Sequence, residues 1–116
     1  MSDFKQQKTL EERKKEAENM RRKYPDRICV LLSKNHRCQL PDIEKNKFLV
    51  PHDLTVGQML HVIRKRIKIT ASESIFLFTE QNTLPMSTIT MYALYNDHKN
   101  EDGFLYLTYN AEDTFG

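Results

Sequence analysis

Glycine is scarce in this 116-residue chain: Gly57, Gly103 and Gly116 are all there is. They stand too far apart to form a glycine-rich phosphate loop. Two cysteines, Cys29 and Cys38, are too few for a disulfide framework. Neither comes with a paired base that would make it a nucleophile. The four histidines, His36, His52, His61 and His98, are scattered. His36-Arg37-Cys38 lacks the second ligand pair of a zinc module, so these are expected to be surface histidines. No run approaches the roughly 18 apolar residues that span a bilayer. The opening MSDFKQQKTLEERKKE has no apolar signal region, and no Asn-x-Ser/Thr sequon occurs, so secretion is not expected. These absences lead to the expectation of no enzyme activity, no metal and no cofactor.

What is present suffices for one domain with a core. Apolar residues make up 39 % and charged residues 29 %, which is too apolar for a disordered chain. The net charge of +2 hides an asymmetry. Residues 1–68 carry a net +8 and residues 69–116 a net −6. The basic front half points to acidic partners such as an anionic membrane, nucleic acid or an acidic peptide. The acidic back half counts against nucleic acid, as does the clustering of the aromatics in apolar segments away from the basic runs.

Leu10, Ala17, Met20 and Tyr24 form a narrow helical stripe over residues 10–24, with Thr9 and Glu12 as a capping box and Pro25 as the stop. Before it, residues 1–8 read as a short helix or loose tip with Phe4 as the one anchor. Ile28–Leu32 reads as a strand apolar on both faces, and residues 33–46 as a polar turn region. Lys47–Val50 is a second short strand stopped by Pro51. Thr55 and Gln58 cap a helix whose apolar face is Val56, Met59, Leu60, Val62, Ile63 and Ile67. Ile75–Phe78 and Phe104–Tyr109 read as strands. Between them, residues 87–95 suit a short helix with Ser87 as cap and Ile89, Met91, Leu94 and Tyr95 as anchors.

The order β-β-α-β-α-β after the first helix is that of the ubiquitin-like β-grasp. The segments Lys23–Arg27, Lys47–Pro51, Asp53–Gln58, Ile63–Ile67 and Asp102–Tyr106, with the terminal Asp113-Thr114-Phe115-Gly116, resemble the autophagy ubiquitin-like modifiers. This is the family of autophagosomal lipid-conjugated proteins that includes the GABA-receptor-associated proteins and the microtubule-associated light chains. The likeness runs from Leu10 to Gly116. It implies an α+β fold: a four-stranded mixed sheet packed on a helix, with two added N-terminal helices. The parts would be a helical extension at 1–26, a β-grasp core at 27–109 and a conjugation tail at 110–116, together one compact domain and a monomer in solution.

The resemblance also implies a function. Gly116 would be activated as a thioester, passed to a conjugating enzyme and joined by an amide bond to phosphatidylethanolamine. A cysteine protease, which in family precursors removes residues beyond the glycine, would deconjugate the product. The protein would be cytoplasmic, and peripheral on autophagosome or related vesicle membranes through the lipid. There it would recruit cargo receptors and machinery through aromatic-x-x-aliphatic peptides, which add a strand beside Lys47–Pro51. By residue-wise match, the aromatic pocket would use Glu16, Met20, Cys29, Leu31, Lys47, Leu49 and Phe104. The aliphatic pocket would use Phe48, Val50, Pro51, Leu54, Met59, Val62, Ile63 and Arg66. Lys45, Lys47 and Arg66 would attract acidic residues flanking the peptide. The basic runs Arg13-Lys14-Lys15 and Arg21-Arg22-Lys23 would either touch anionic lipid or form a solvated face. The chain departs from the family at Cys29, where proline is usual. It also departs at Met20 and Met59, where branched aliphatic residues and phenylalanine are common. The Thr79–Leu84 turn looks one residue longer than in the shorter-looped members. The main rival is an unconjugated ubiquitin-like module that uses the same groove in membrane trafficking.

Overall fold

Two threonines start the two longest helices by the same device. Thr9 Oγ1 accepts from the Glu12 amide at 3.2 Å while the Thr9 amide donates to Glu12 Oε1 at 2.8 Å. Thr55 and Gln58 repeat the exchange at 3.2 and 2.9 Å. Each capping box satisfies N–H groups that a helix start would leave unpaired. The computed structural model describes residues 3–111, and Gly116 with the preceding residues of the tail lies outside them. The elements are α1 (Asp3–Gln7), α2 (Leu10–Lys23), β1 (Arg27–Lys34), β2 (Lys47–Pro51), α3 (Val56–Ile67), β3 (Phe76–Thr79), α4 (Met91–His98) and β4 (Leu105–Asn110).

The strands form one mixed sheet in the order β2-β1-β4-β3. β1 pairs antiparallel with β2, placing Cys29 opposite Leu49, and parallel with β4, placing Leu31 opposite Tyr106. β3 lies antiparallel on the far side of β4. This is the β-grasp arrangement, and β2 is one edge of the sheet.

β1 is apolar on both faces because both faces are covered. Ile28, Val30 and Leu32 join the larger core with Val56, Met59, Ile63 and Ile67 of α3. Cys29 and Leu31 point the other way, into a smaller cluster with Phe4, Ala17, Phe104 and Tyr106. The alternation follows from the two-residue period of a strand. Met59 and Ile63 have no exposed surface, and each such burial is worth about 1.5–3 kcal/mol.

The structure differs from the sequence-based expectation at several points. The last helix begins at Met91 with Thr90 as its cap, rather than at Ser87. Residues 87–90 serve α3 instead: the Gly57 amide donates to Ser87 O and the Val56 amide to Ile89 O, both at 2.9 Å. A Cβ on Gly57 would stand 3.3 Å from Ser87 O, so the close approach favours glycine there. The 33–46 region is not wholly polar in role, since Cys38 and Leu40 are buried in the larger core. Its fold-back is held by Tyr109, whose hydroxyl donates to Pro41 O at 2.6 Å. β4 runs on to the buried Asn110, so the expected tail boundary at 110 falls inside the sheet.

Candidate functional site

The edge strand β2 alternates between the two apolar clusters. Phe48 and Val50 face the larger core, and Leu49 packs against the smaller one. The register fixes this, because Leu49 lies opposite Cys29 while Phe48 and Val50 lie opposite Val30 and Ile28. One row of backbone groups, with an apolar cluster on each side, therefore lies along the open edge of the sheet.

On the α2 side, the residues expected in the aromatic pocket come together. Cys29, Leu31 and Phe104 are buried in one cluster, with Leu49 against it. Above them Lys47 Nζ donates to Glu16 Oε1 at 2.7 Å, tying β2 to α2. Lys8 Nζ stands 3.5 Å from Glu16 Oε2. Met20, Cys29 and Leu49 also border a cavity of about 330 Å³ that continues to α4, where Tyr92, Tyr95, Asn96 and Lys99 line it. His52 closes that end and stacks on Tyr92 with ring centroids 4.5 Å apart. The extension toward α4 has no signal in the sequence, since its residues fall in two distant segments.

On the α3 side, Met59 and Ile63 are fully buried, and Phe48 and Val50 nearly so. They are core first, and any pocket here has them as its floor. Leu54 and Val62 are half-buried against that core, and Pro51 is exposed, so these three offer the accessible surface. Lys45 Nζ and the Arg66 guanidinium carbon stand 5.6 and 5.7 Å from the Phe48 ring centroid. Both side chains are exposed, which leaves two cations beside this pocket.

Part of the basic face has another use. Arg13 turns inward, with Nη1 donating to Asp102 Oδ2 at 2.6 Å and only 13 % of its side chain exposed. Burial, the largest single influence, opposes charge on this guanidinium, but Asp102 and Tyr106 together outweigh it and raise the pKa. Lys14, Lys15, Arg21, Arg22 and Lys23 remain exposed. Asp102 also accepts from the Phe104 amide at 2.8 Å and the Tyr106 hydroxyl at 2.5 Å. Burial and that bond hold Tyr106 well above the usual phenol range. Sequence spacing could not join Arg13 to Asp102, which are 89 residues apart.

Burial pushes the Cys29 thiol up from an ordinary 9.0 to about 11. It is therefore protonated at neutral pH and a poor nucleophile. Alkylation of Cys29, followed by peptide mass spectrometry, is expected to keep accelerating about tenfold per pH unit beyond pH 9. A plateau near pH 9 would contradict the shift. The folded chain disfavours the thiolate, so this site adds stability that is full below pH 9 and lost as the pH rises toward 11.

Among the described residues no group of three or more His, Cys, Asp or Glu is placed to hold a metal ion, and no helix is long and apolar enough to cross a membrane. The family described as "Autophagy protein Atg8 ubiquitin like" matches residues 12–116. The chain is 53 % identical to Autophagy-related protein 8B of Oryza sativa subsp. indica, covering 99 % of this chain and 96 % of that one. It is 52 % identical to Autophagy-related protein 8 of Mycosarcoma maydis, covering 99 % and 97 %. Its fold superposes on the crystal structure of Trypanosoma brucei ATG8 with a TM-score of 0.90, at 39 % identity, covering 100 % and 99 % of the two chains. With the open β2 edge and its two flanking clusters, these likenesses make the chain a member of the Atg8 family of autophagy ubiquitin-like proteins.

Proposed function

We propose that this protein is a modifier joined through Gly116 to phosphatidylethanolamine, and that it acts on autophagosomal membranes as an adaptor for short aromatic-x-x-aliphatic peptides. The observation that carries the peptide reading is the edge of β2, unpaired among the described residues, with an apolar cluster on each face. A peptide added there as a fifth strand alternates its side chains with a period of two. Residues three apart, i and i+3, then point to opposite faces. An aromatic at i would meet Cys29, Leu31, Leu49 and Phe104, and an aliphatic residue at i+3 would meet Leu54, Val62 and Pro51. Main-chain hydrogen bonds to β2 supply affinity and the two pockets supply specificity. Lys45 and Arg66 favour acidic flanking residues and speed their approach.

Gly116 suits conjugation because it has no side chain to obstruct a narrow enzyme channel. The family reaction supplies the chemistry: the lipid amine attacks the carbonyl of a glycyl thioester, the C–S bond breaks, and the thiol leaves as the amide forms. This chain is the group transferred and the enzymes are its partners. In this reading it is cytoplasmic before conjugation and peripheral on the membrane afterwards.

Leu49→Ala tests the groove, because Leu49 is half-buried at the rim rather than part of the core floor. Calorimetry with an acidic-flanked aromatic-x-x-aliphatic peptide is expected to show a loss of about 1–3 kcal/mol, the scale of a truncated interface anchor. Unchanged affinity would remove Leu49 from the site.

A further inference from the structure

Leu31 and Phe104 are buried, so the accessible part of the aromatic pocket is the cavity of about 330 Å³ that Met20, Cys29 and Leu49 border. Away from these residues the cavity becomes basic. Arg21 near the end of α2, Arg27 at the start of β1 and Lys99 just after α4 line it, and none of the described residues lining it is an aspartate or glutamate. Glu18 and Glu101 border a separate depression that shares Arg21 and Lys99. All three cations are exposed, and among the described residues no salt bridge engages any of them. The wall between is aromatic: Tyr95 is half of it, and the Tyr92 ring with His52 stacked on it is the other half. Arg27 stands two residues before Cys29 in β1, on the same face of the strand and about 6.6 Å along it.

From this we infer that the cavity takes an aryl phosphate, with the ring among Met20, Leu49 and the Tyr92 wall and the phosphate at Arg21, Arg27 and Lys99. The inference rests on the groove reading and names a ligand class for its aromatic pocket: a phosphotyrosine at the aromatic position of the peptide. Two features select this chemistry. The cations lie beyond an apolar and aromatic stretch, so a ligand needs a flat apolar stem before its charge, and a ring also stacks on aromatic walls. The distance matters as well. A tyrosyl phosphate carries its charge about as far from its Cβ as Arg27 lies from Cys29 along the strand, whereas aspartate and glutamate side chains are shorter. Two guanidinium forks can each bond a phosphate through two parallel N–H groups, which a lysine cannot do. The size is suitable too, since about 330 Å³ falls at the lower end of the range for small-ligand sites, about 300–1,000 Å³. These cations are different residues from Lys45, Lys47 and Arg66, which flank the peptide elsewhere.

The test uses the full chain and two fluorescein-labelled peptides, read by anisotropy. Both are the same tyrosine-x-x-leucine sequence, one with tyrosine and one with phosphotyrosine. The phosphotyrosine peptide is expected to bind about tenfold more tightly, and the preference should shrink as salt is raised. In the double variant Arg27→Gln with Lys99→Gln the ratio of the two affinities is expected to fall close to one. Because the ratio is taken within one protein, a general loss of folding or of groove affinity cancels from it. Phenyl phosphate is then added as a competitor of the phosphotyrosine peptide. Competition shows that the cavity takes the free aryl phosphate, and no competition alongside an intact preference shows that it takes the group only on a peptide; either result supports the site. Equal or weaker binding of the phosphotyrosine peptide by wild type overturns the inference and leaves the groove reading intact. A preference that survives in the double variant places the phosphate away from Arg27 and Lys99 and also overturns it. No binding of either peptide overturns the groove reading, and this inference with it.

Discussion

Asp102→Ala is expected to lower the unfolding free energy by about 3–5 kcal/mol, the scale for removing one partner of a buried, hydrogen-bonded ion pair. The Asp102 side chain has no exposed surface and serves three donors at once: Arg13, the Phe104 amide and the Tyr106 hydroxyl. Removing the carboxylate leaves a largely buried guanidinium and a buried phenol without that acceptor. The bond from Arg13 is also a polar tie between α2 and the start of β4, so its loss should loosen the N-terminal layer first. Urea unfolding measures the total, and hydrogen exchange of α2 shows where it falls. A loss below about 1 kcal/mol would mean that Arg13 and Tyr106 find other partners.

Phe104→Ala is expected to cost a similar amount, about 3–5 kcal/mol, because a fully buried ring leaves a cavity in a small cluster. The edge-on pair with Phe4 adds about 0.5–1.5 kcal/mol beyond the area buried. A double-mutant cycle with Phe4→Ala should show that coupling directly. Strict additivity of the two substitutions would contradict the contact. Phe104 also floors the aromatic pocket in the proposed reading, so the variant should lose peptide affinity even at a temperature where it remains folded.

Much of the core was legible in the sequence for simple physical reasons. Capping boxes at Thr9 and Thr55 are local, so their spacing alone marks both helix starts. The two-faced apolarity of Ile28–Leu32 announced a central strand, and β1 lies between β2 and β4. A lysine-bearing strand ending in proline marked the edge. The start of α4 was not legible, because Ser87 and Thr90 are both good caps. The choice between them falls to α3, whose first N–H groups need the carbonyls of Ser87 and Ile89.

The site was legible mainly through its family motifs. Those motifs identify residues that share a neighbourhood without saying which are floor and which are rim. Met59 and Ile63 are buried floor, whereas Leu49, Leu54 and Val62 are half-open. Arg13 looked like one cation in a solvated run, and only the fold brings Asp102 to it. Phe4 looked like an anchor, but nothing local indicated that it would stand against Phe104. Both interactions depend on tertiary closure over distances that no helical or strand period encodes.

Reconstituted conjugation is the most direct measurement. The full chain would be incubated with the family's activating and conjugating enzymes, ATP and phosphatidylethanolamine liposomes, and its intact mass recorded. The expected result is a mass gain of one phosphatidylethanolamine less one water, absent when Gly116 is deleted. No adduct on this chain, while a known family member is conjugated in the same mixture, would contradict the modifier reading and leave an unconjugated peptide-binding module.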